Sequence, residues 1–203
     1  FAKDNAASTP RAVYLKDYQM PPYLVEEIAL RFELDPAATL VTSRLLVKRN
    51  PQAGSPADDR LRLEGQELEL KSVRVDGTAL SESDYQLDED ALVLNSVANQ
   101  AVIEIETIVH PDRNTALEGL YISGNMFCTQ CEAEGFRRIT FFPDRPDVKA
   151  RYTTTLVADK SQYPVQLSNA KPDEQAELDH GPHWLTRQHP IPNPTNLYAH
   201  EAG

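Results

Sequence analysis

The sequence predicts a mainly β domain, an antiparallel sheet or sandwich with only a few short helical turns. Three observations predict it. Apolar and polar residues alternate with a period of two over several stretches, which places one face of a strand in a core. Clusters of Gly, Pro, Asn and Asp interrupt the chain at short intervals. Only two short segments, Glu132–Arg138 and Pro146–Ala150, suit a helix.

Residues 1–12 are small and polar and are expected to form a loose lead-in, leaving 13–203 as the β domain. After Pro21-Pro22, Ile28, Leu30, Phe32 and Leu34 alternate with Glu27, Ala29, Arg31 and Glu33, giving a strand that Asp35-Pro36 ends. Val41, Ser43, Leu45 and Val47 form a second strand and a hairpin with the first. Residues 50–59 read as an exposed loop. Strands follow at Leu68–Leu70, Val73–Val75, Tyr85–Leu87 and Ala91–Leu94, with Asp76-Gly77 as a tight turn. Ala101–Val109 is another one-sided strand, and strands resume at Tyr152–Ala158, Pro164–Leu167 and His183–Arg187. Pro190-Ile191-Pro192-Asn193-Pro194 must be extended, since each proline biases its predecessor away from the α region. Pro146 and Asp147 would start the second short helix well, as a first-turn proline and an acid at the positive end of the dipole.

The net charge of −11 repels phosphate backbones, so neither nucleic acid nor an acidic membrane surface is expected as a partner. No apolar run approaches the ~18 residues of a membrane helix. The start, Phe1-Ala2-Lys3-Asp4-Asn5, lacks the apolar stretch of a secretory signal, and without a Met it leaves the true N-terminus unseen. With two cysteines and no usable Asn-x-Ser/Thr site, the expected location is cytoplasmic.

Cys128-Thr129-Gln130-Cys131 has the CxxC spacing, but redox chemistry wants it at the start of a helix in a βαβ unit, and structural zinc wants four ligands. Two small, half-buried thiols are the simpler expectation. His180-Gly181-Pro182-His183 is the one close histidine pair, and its Gly-Pro step suggests a solvated loop rather than a metal site. Neither HExxH, Gly-x-Ser-x-Gly nor a phosphate loop occurs, so no complete catalytic set and no metal site is expected in this chain. Glu132 and Glu134, beside Gln130, Phe127 and Phe136, read on composition as acids at a helix start.

Several segments in order resemble one family. They are Asn114-Thr115-Ala116-Leu117-Glu118-Gly119-Leu120-Tyr121, Thr129-Gln130-Cys131-Glu132-Ala133-Glu134-Gly135-Phe136-Arg137, and Asp144-Arg145-Pro146-Asp147-Val148-Lys149-Ala150-Arg151-Tyr152. Phe142-Pro143, Leu167-Ser168-Asn169 and the Pro190-x-Pro192 step also fit. Together they are similar to the N-terminal domain of bacterial members of the M1 family of zinc aminopeptidases. The resemblance implies a twisted, saddle-like β domain packed on a catalytic domain that holds zinc on an HExxH helix with a later Glu. It also implies that Glu132 binds the α-ammonium of a peptide substrate and that Gln130 lines the pocket for the first side chain. On this reading the chain stops near a domain boundary. Alone it would bind no zinc tightly, hydrolyse nothing, and expose an apolar face meant for the catalytic domain. The alternative is a non-catalytic β-rich scaffold, for which an ammonium anchor has no use. The resemblance also leads one to expect an apolar last strand, where His200 and Glu201 stand instead.

Overall fold

The structure, a computed structural model, describes residues 14–53, 59–176 and 182–203. The lead-in 1–12, His180 and most of the 50–59 loop's tip lie outside them. Among the described residues, fifteen strands carry the fold. In chain order they are β1 (Tyr23–Glu33), β2 (Thr39–Arg49), β3 (Leu61–Glu64), β4 (Glu69–Val75) and β5 (Thr78–Ala79). Next come β6 (Tyr85–Leu87), β7 (Ala91–Leu94), β8 (Gln100–Val109), β9 (Gly119–Ser123) and β10 (Met126–Gln130). The last are β11 (Lys149–Asp159), β12 (Gln166–Ser168), β13 (Lys171–Ala176), β14 (Pro182–Pro194) and β15 (His200–Ala202).

They form an eight-stranded sheet in the order β13-β14-β11-β1-β2-β8-β4-β5, a four-stranded sheet β12-β15-β10-β9 and a three-stranded sheet β3-β7-β6. Pairing is antiparallel except between β1 and β11, which run parallel from Glu27↔Arg151 to Glu33↔Val157. The period-two pattern decides which face is inside. Ile28, Leu30 and Phe32 of β1, Val41, Leu45 and Val47 of β2, and Ile103 and Ile105 of β8 are buried. The opposite face carries cross-strand ion pairs such as Arg151–Glu27 at 2.7 Å. Those exposed pairs add little stability, and the buried stripe carries the sheet.

β1 starts at Tyr23, earlier than the alternation suggests. A bulge between Val25 and Glu27 resets the phase, so Tyr23 and Val25 face the core as well. A second bulge, between Leu70 and Ser72, joins into β4 two segments expected to be separate strands. The helix expected at Pro146–Ala150 does not form. Pro146-Asp147 is a turn, and β11 already starts at Lys149. Asp147 is held there by Arg145, at 2.7 Å, and by the Tyr18 hydroxyl, at 2.8 Å. His183 sits half-buried on β14, its Nε2 2.7 Å from Gln166 Nε2, rather than in a solvated loop. Asn50 is buried too, and its amide donates to the Pro21 carbonyl at 2.9 Å.

β14 runs through its prolines as an extended segment. β13 pairs only with Trp184–Gln188, so beyond Gln188 one side of β14 has no ladder to lose. The final strand forms with alternating exposure: His200 and Ala202 are buried, and Glu201 faces outward.

Candidate functional site

The site lies where the four-stranded sheet meets the core. β9 and β10 are joined by a two-residue turn led by Gly124, at φ 62°, with Ser123 opposite Met126. Gln130 ends β10 opposite Gly119. The chain then arches through Glu132-Ala133-Glu134 into a 3₁₀ turn over Gly135–Arg138, so the helix expected from Glu132 shrinks to its last four residues. The Glu132–Ala133 peptide bond is cis.

Both ends of the arch are fixed. At the first, Gly135 N–H donates to the Cys131 carbonyl at 3.0 Å. Gly119, at φ 69°, adopts a backbone conformation that side chains disfavour. A Cβ on Gly135 would stand 2.3 Å from the Gln130 carbonyl oxygen and 3.1 Å from Gly119 N, both of them backbone atoms. Gly135→Ala should therefore cost about 1–3 kcal/mol and lower the melting temperature by roughly 3–10 °C. A thermal melt followed by circular dichroism checks this, and an unchanged Tm would mean that the arch is not packed as described.

At the second end, Phe136 is fully buried with its ring edge-on to Phe142, Tyr152 and Tyr198, at 5.3, 6.1 and 5.2 Å. Arg137 next to it is clamped by Asp144, which is 2% exposed. Asp144 Oδ2 accepts the Arg137 backbone N–H and Nε–H, both at 3.1 Å, and Asp144 Oδ1 accepts the Thr195 hydroxyl at 2.5 Å. Arg137 Nη2 also reaches Glu134 Oε2 at 3.1 Å. The sequence reading missed this network. Its one visible signal is an acid directly after the apolar run Phe141-Phe142-Pro143, which needs a cation or donors once buried.

The two acids of the arch therefore differ. Glu134 is committed to Arg137, whereas the exposed Glu132 carboxylate has no partner among the described residues. The exposed Gln130 side chain lies beside it, its Nε2 donating to the Glu132 carbonyl at 3.3 Å. An exposed carboxylate beside the Gln130 amide can receive an ammonium group.

The other candidates do not converge here. Cys128 and Cys131 are free thiols. Burial, and then the Glu201 charge, raises Cys128; burial, and then Asp144, raises Cys131 far above the usual thiol range, so neither is a ready thiolate. His110 contacts the Ala37 carbonyl and the Glu69 carboxylate, neither of them part of the arch. Among the described residues no three His, Cys, Asp or Glu side chains stand together as a metal cluster. No described helix is long and apolar enough to cross a membrane.

On the outer face of the four-stranded sheet, Leu167, Glu201, Cys128 and Tyr121 line up across β12, β15, β10 and β9. Val165, Leu167 and Met126 are 53%, 52% and 41% exposed there. Gln130, two residues beyond Cys128 on β10, opens onto the same face.

One long and two short sheets, with an exposed acid on an arch after a hairpin, define a mainly β domain. The chain belongs to the peptidase M1 N-terminal domain family, whose model matches residues 18–197. It is 43% identical over 194 residues to aminopeptidase N of Escherichia coli K12, a match covering 96% of this chain and 22% of that protein. It is 44% identical over 197 residues to aminopeptidase N of Haemophilus influenzae, covering 95% and 22%. The crystal structure of Legionella pneumophila aminopeptidase A in complex with aspartic acid superposes with a TM-score of 0.87 at 34% identity, over 93% of this chain and 22% of that one. The chain thus spans about 22% of the length of the curated relatives it matches.

Proposed function

We propose that this domain anchors the free amino end of peptide substrates for a zinc-dependent aminopeptidase of which it is one part. One observation carries the reading: of two neighbouring acids, Glu134 is held by Arg137, while Glu132 is exposed and without a partner among the described residues, on an arch pinned at both ends. An exopeptidase must tell a chain end from an internal residue. A fixed carboxylate does this through a charge-assisted hydrogen bond to the α-ammonium. An internal amide brings no charge and carries extra chain, so it is both unpaired and sterically excluded. Gln130, next to Glu132, lines the pocket for the first side chain.

Hydrolysis and the zinc belong, on this reading, to the larger share of a longer polypeptide that this chain does not contain. The partner is that catalytic domain, seated on the face formed by Val165, Leu167 and Met126, whose exposed apolar side chains adjoin Gln130. Unpaired Cys128 and Cys131 suit a reducing compartment, and the reading places the protein in the cytoplasm.

The test compares a dipeptide amide bearing a free α-amine with its N-acetyl analogue, using the longer protein. The free amine should be cleaved at least ~100-fold faster, because the acetylated end leaves the carboxylate unpaired. Equal rates would refute the anchor, and no hydrolysis of either would make this a scaffold module.

A further inference from the structure

We infer that Asp144 is a positioning residue for the ammonium anchor, acting through Arg137 on the arch that carries Glu132. The inference rests on the anchoring role proposed for Glu132.

The argument is geometric. Glu132 lies between two fixed points, Gln130 at the end of β10 and the 3₁₀ turn Gly135–Arg138. The Arg137 side of the second point depends on Asp144. Its carboxylate receives three donors: Arg137 N–H and Nε–H at Oδ2, and the Thr195 hydroxyl at Oδ1. All three donate to a carboxylate oxygen, and each such oxygen can accept more than one hydrogen bond. Arg137 closes the clamp by donating from Nη2 to the Asp144 carbonyl at 3.1 Å, and the same nitrogen holds Glu134. From Asp144 the connection therefore runs through Arg137 to Glu134, two residues from Glu132. Asp144 is also tied down from other elements. Its N–H donates to Glu64 Oε2 at 3.2 Å, next to β7, and Thr195 follows β14. One buried acid thus fixes the arch to two sheets.

Asp144→Asn keeps the shape but replaces one acceptor with an NH₂ donor and removes the charge facing Arg137. The clamp loosens and Glu132 moves relative to the bound amine. Small misplacements of this kind cost up to ~100-fold in rate.

The experiment uses the longer enzyme and three variants: Asp144→Asn, Thr195→Val and Glu132→Gln. Two readouts are taken, kinetics on a peptide with a free N-terminus and the ratio of inhibition constants for an amino acid and its des-amino analogue. Asp144→Asn should lose roughly 10- to 100-fold in kcat/KM, mostly through KM. The advantage of the amino ligand over its des-amino analogue should shrink with it. Thr195→Val removes one donor without touching the arch and should shift both readouts the same way by a smaller factor. A residue that only stabilises the fold would lower the yield of active enzyme and leave KM and the ligand ratio alone. Should Glu132→Gln abolish the amine preference while Asp144→Asn and Thr195→Val retain it, the positioning role is overturned and the anchor stands. Should all three retain it, the anchor falls, and this inference with it. If Asp144→Asn cannot be purified folded, Thr195→Val decides.

Discussion

In the longer enzyme, Glu132→Gln is expected to lower kcat/KM on free-amine peptides by roughly 30- to 1,000-fold, the scale of about 2–4 kcal/mol lost when a desolvated charge pair is broken. Glu134→Gln should stay within about five-fold. The contrast follows from what each carboxylate touches. Glu134 is 63% exposed at its side chain and meets Arg137 at the surface, and such pairs contribute only ~0–1 kcal/mol. Arg137 keeps its stronger partner, Asp144, when Glu134 is neutralised. Glu132 has no partner among the described residues, and on the proposed anchoring role its neutralisation removes the ligand's counter-charge. The substitution preserves size and shape but removes the charge and turns one acceptor oxygen into an NH₂ donor, so the loss reports the ammonium's counter-charge together with one of its hydrogen bonds. Steady-state kinetics on both variants checks it, and equal effects would take the anchoring role away from Glu132.

The long strands were legible because one face of each is buried, and burial writes alternation into the sequence. β2, β8 and β11 fall where the pattern places them, within a few residues at their ends. Errors arise where local geometry breaks the period. The bulge at Val25/Glu27 hid the first residues of β1, and the bulge at Leu70/Ser72 made one strand look like two. β9 and β10 went unread as strands. Leu120 and Phe127 are buried, but Tyr121, Cys128 and Thr129 are only partly exposed, so neither strand shows a clean two-face contrast. The Pro146–Ala150 helix failed for a different reason. Pro146 and Asp147 suit a helix start, but Asp147 spends its carboxylate on Arg145 and Tyr18, and β11 takes Lys149 and Ala150 into the sheet. Tertiary pairing overrides a local start signal.

The site was less legible than the fold. Composition alone made Glu132 and Glu134 equivalent acids at a helix start. The structure separates them through Arg137, whose commitment to Asp144 depends on a contact seven residues away along the chain. Only the family resemblance singled out Glu132 and Gln130, and only coordinates could show that Glu132 is the unpaired acid. His200 tells the same story from the other side. As a polar residue it argued against a buried last strand, yet β15 places it 5% exposed, its ring 4.6 Å from that of Tyr198.

That burial has a measurable consequence at acid pH. Burial first, then the neighbouring Arg187 and His189, pushes the His200 imidazole down from the ordinary 6.5 to about 3. Its Nδ1 is buried without a hydrogen-bond partner among the described residues. The folded pKa is lower than the unfolded one, so above pH 6.5 both states are neutral and His200 contributes no pH dependence. Below 6.5 the unfolded chain takes up a proton that the folded chain refuses. Stability then falls by about 1.4 kcal/mol per pH unit, reaching on the order of 5 kcal/mol near pH 3. His200→Phe keeps a ring against Tyr198 and removes the titration. Urea unfolding between pH 3 and 7, followed by the fluorescence of Trp184 on β14, should show the two proteins separated by a constant above pH 6.5. Below it they should diverge, with the variant gaining on the parent as the pH falls. The carboxylates common to both cancel in this difference, so the divergence isolates one buried histidine. Parallel curves across the whole range would mean that His200 is hydrated or can be protonated in place, and that β15 is not sealed against the core.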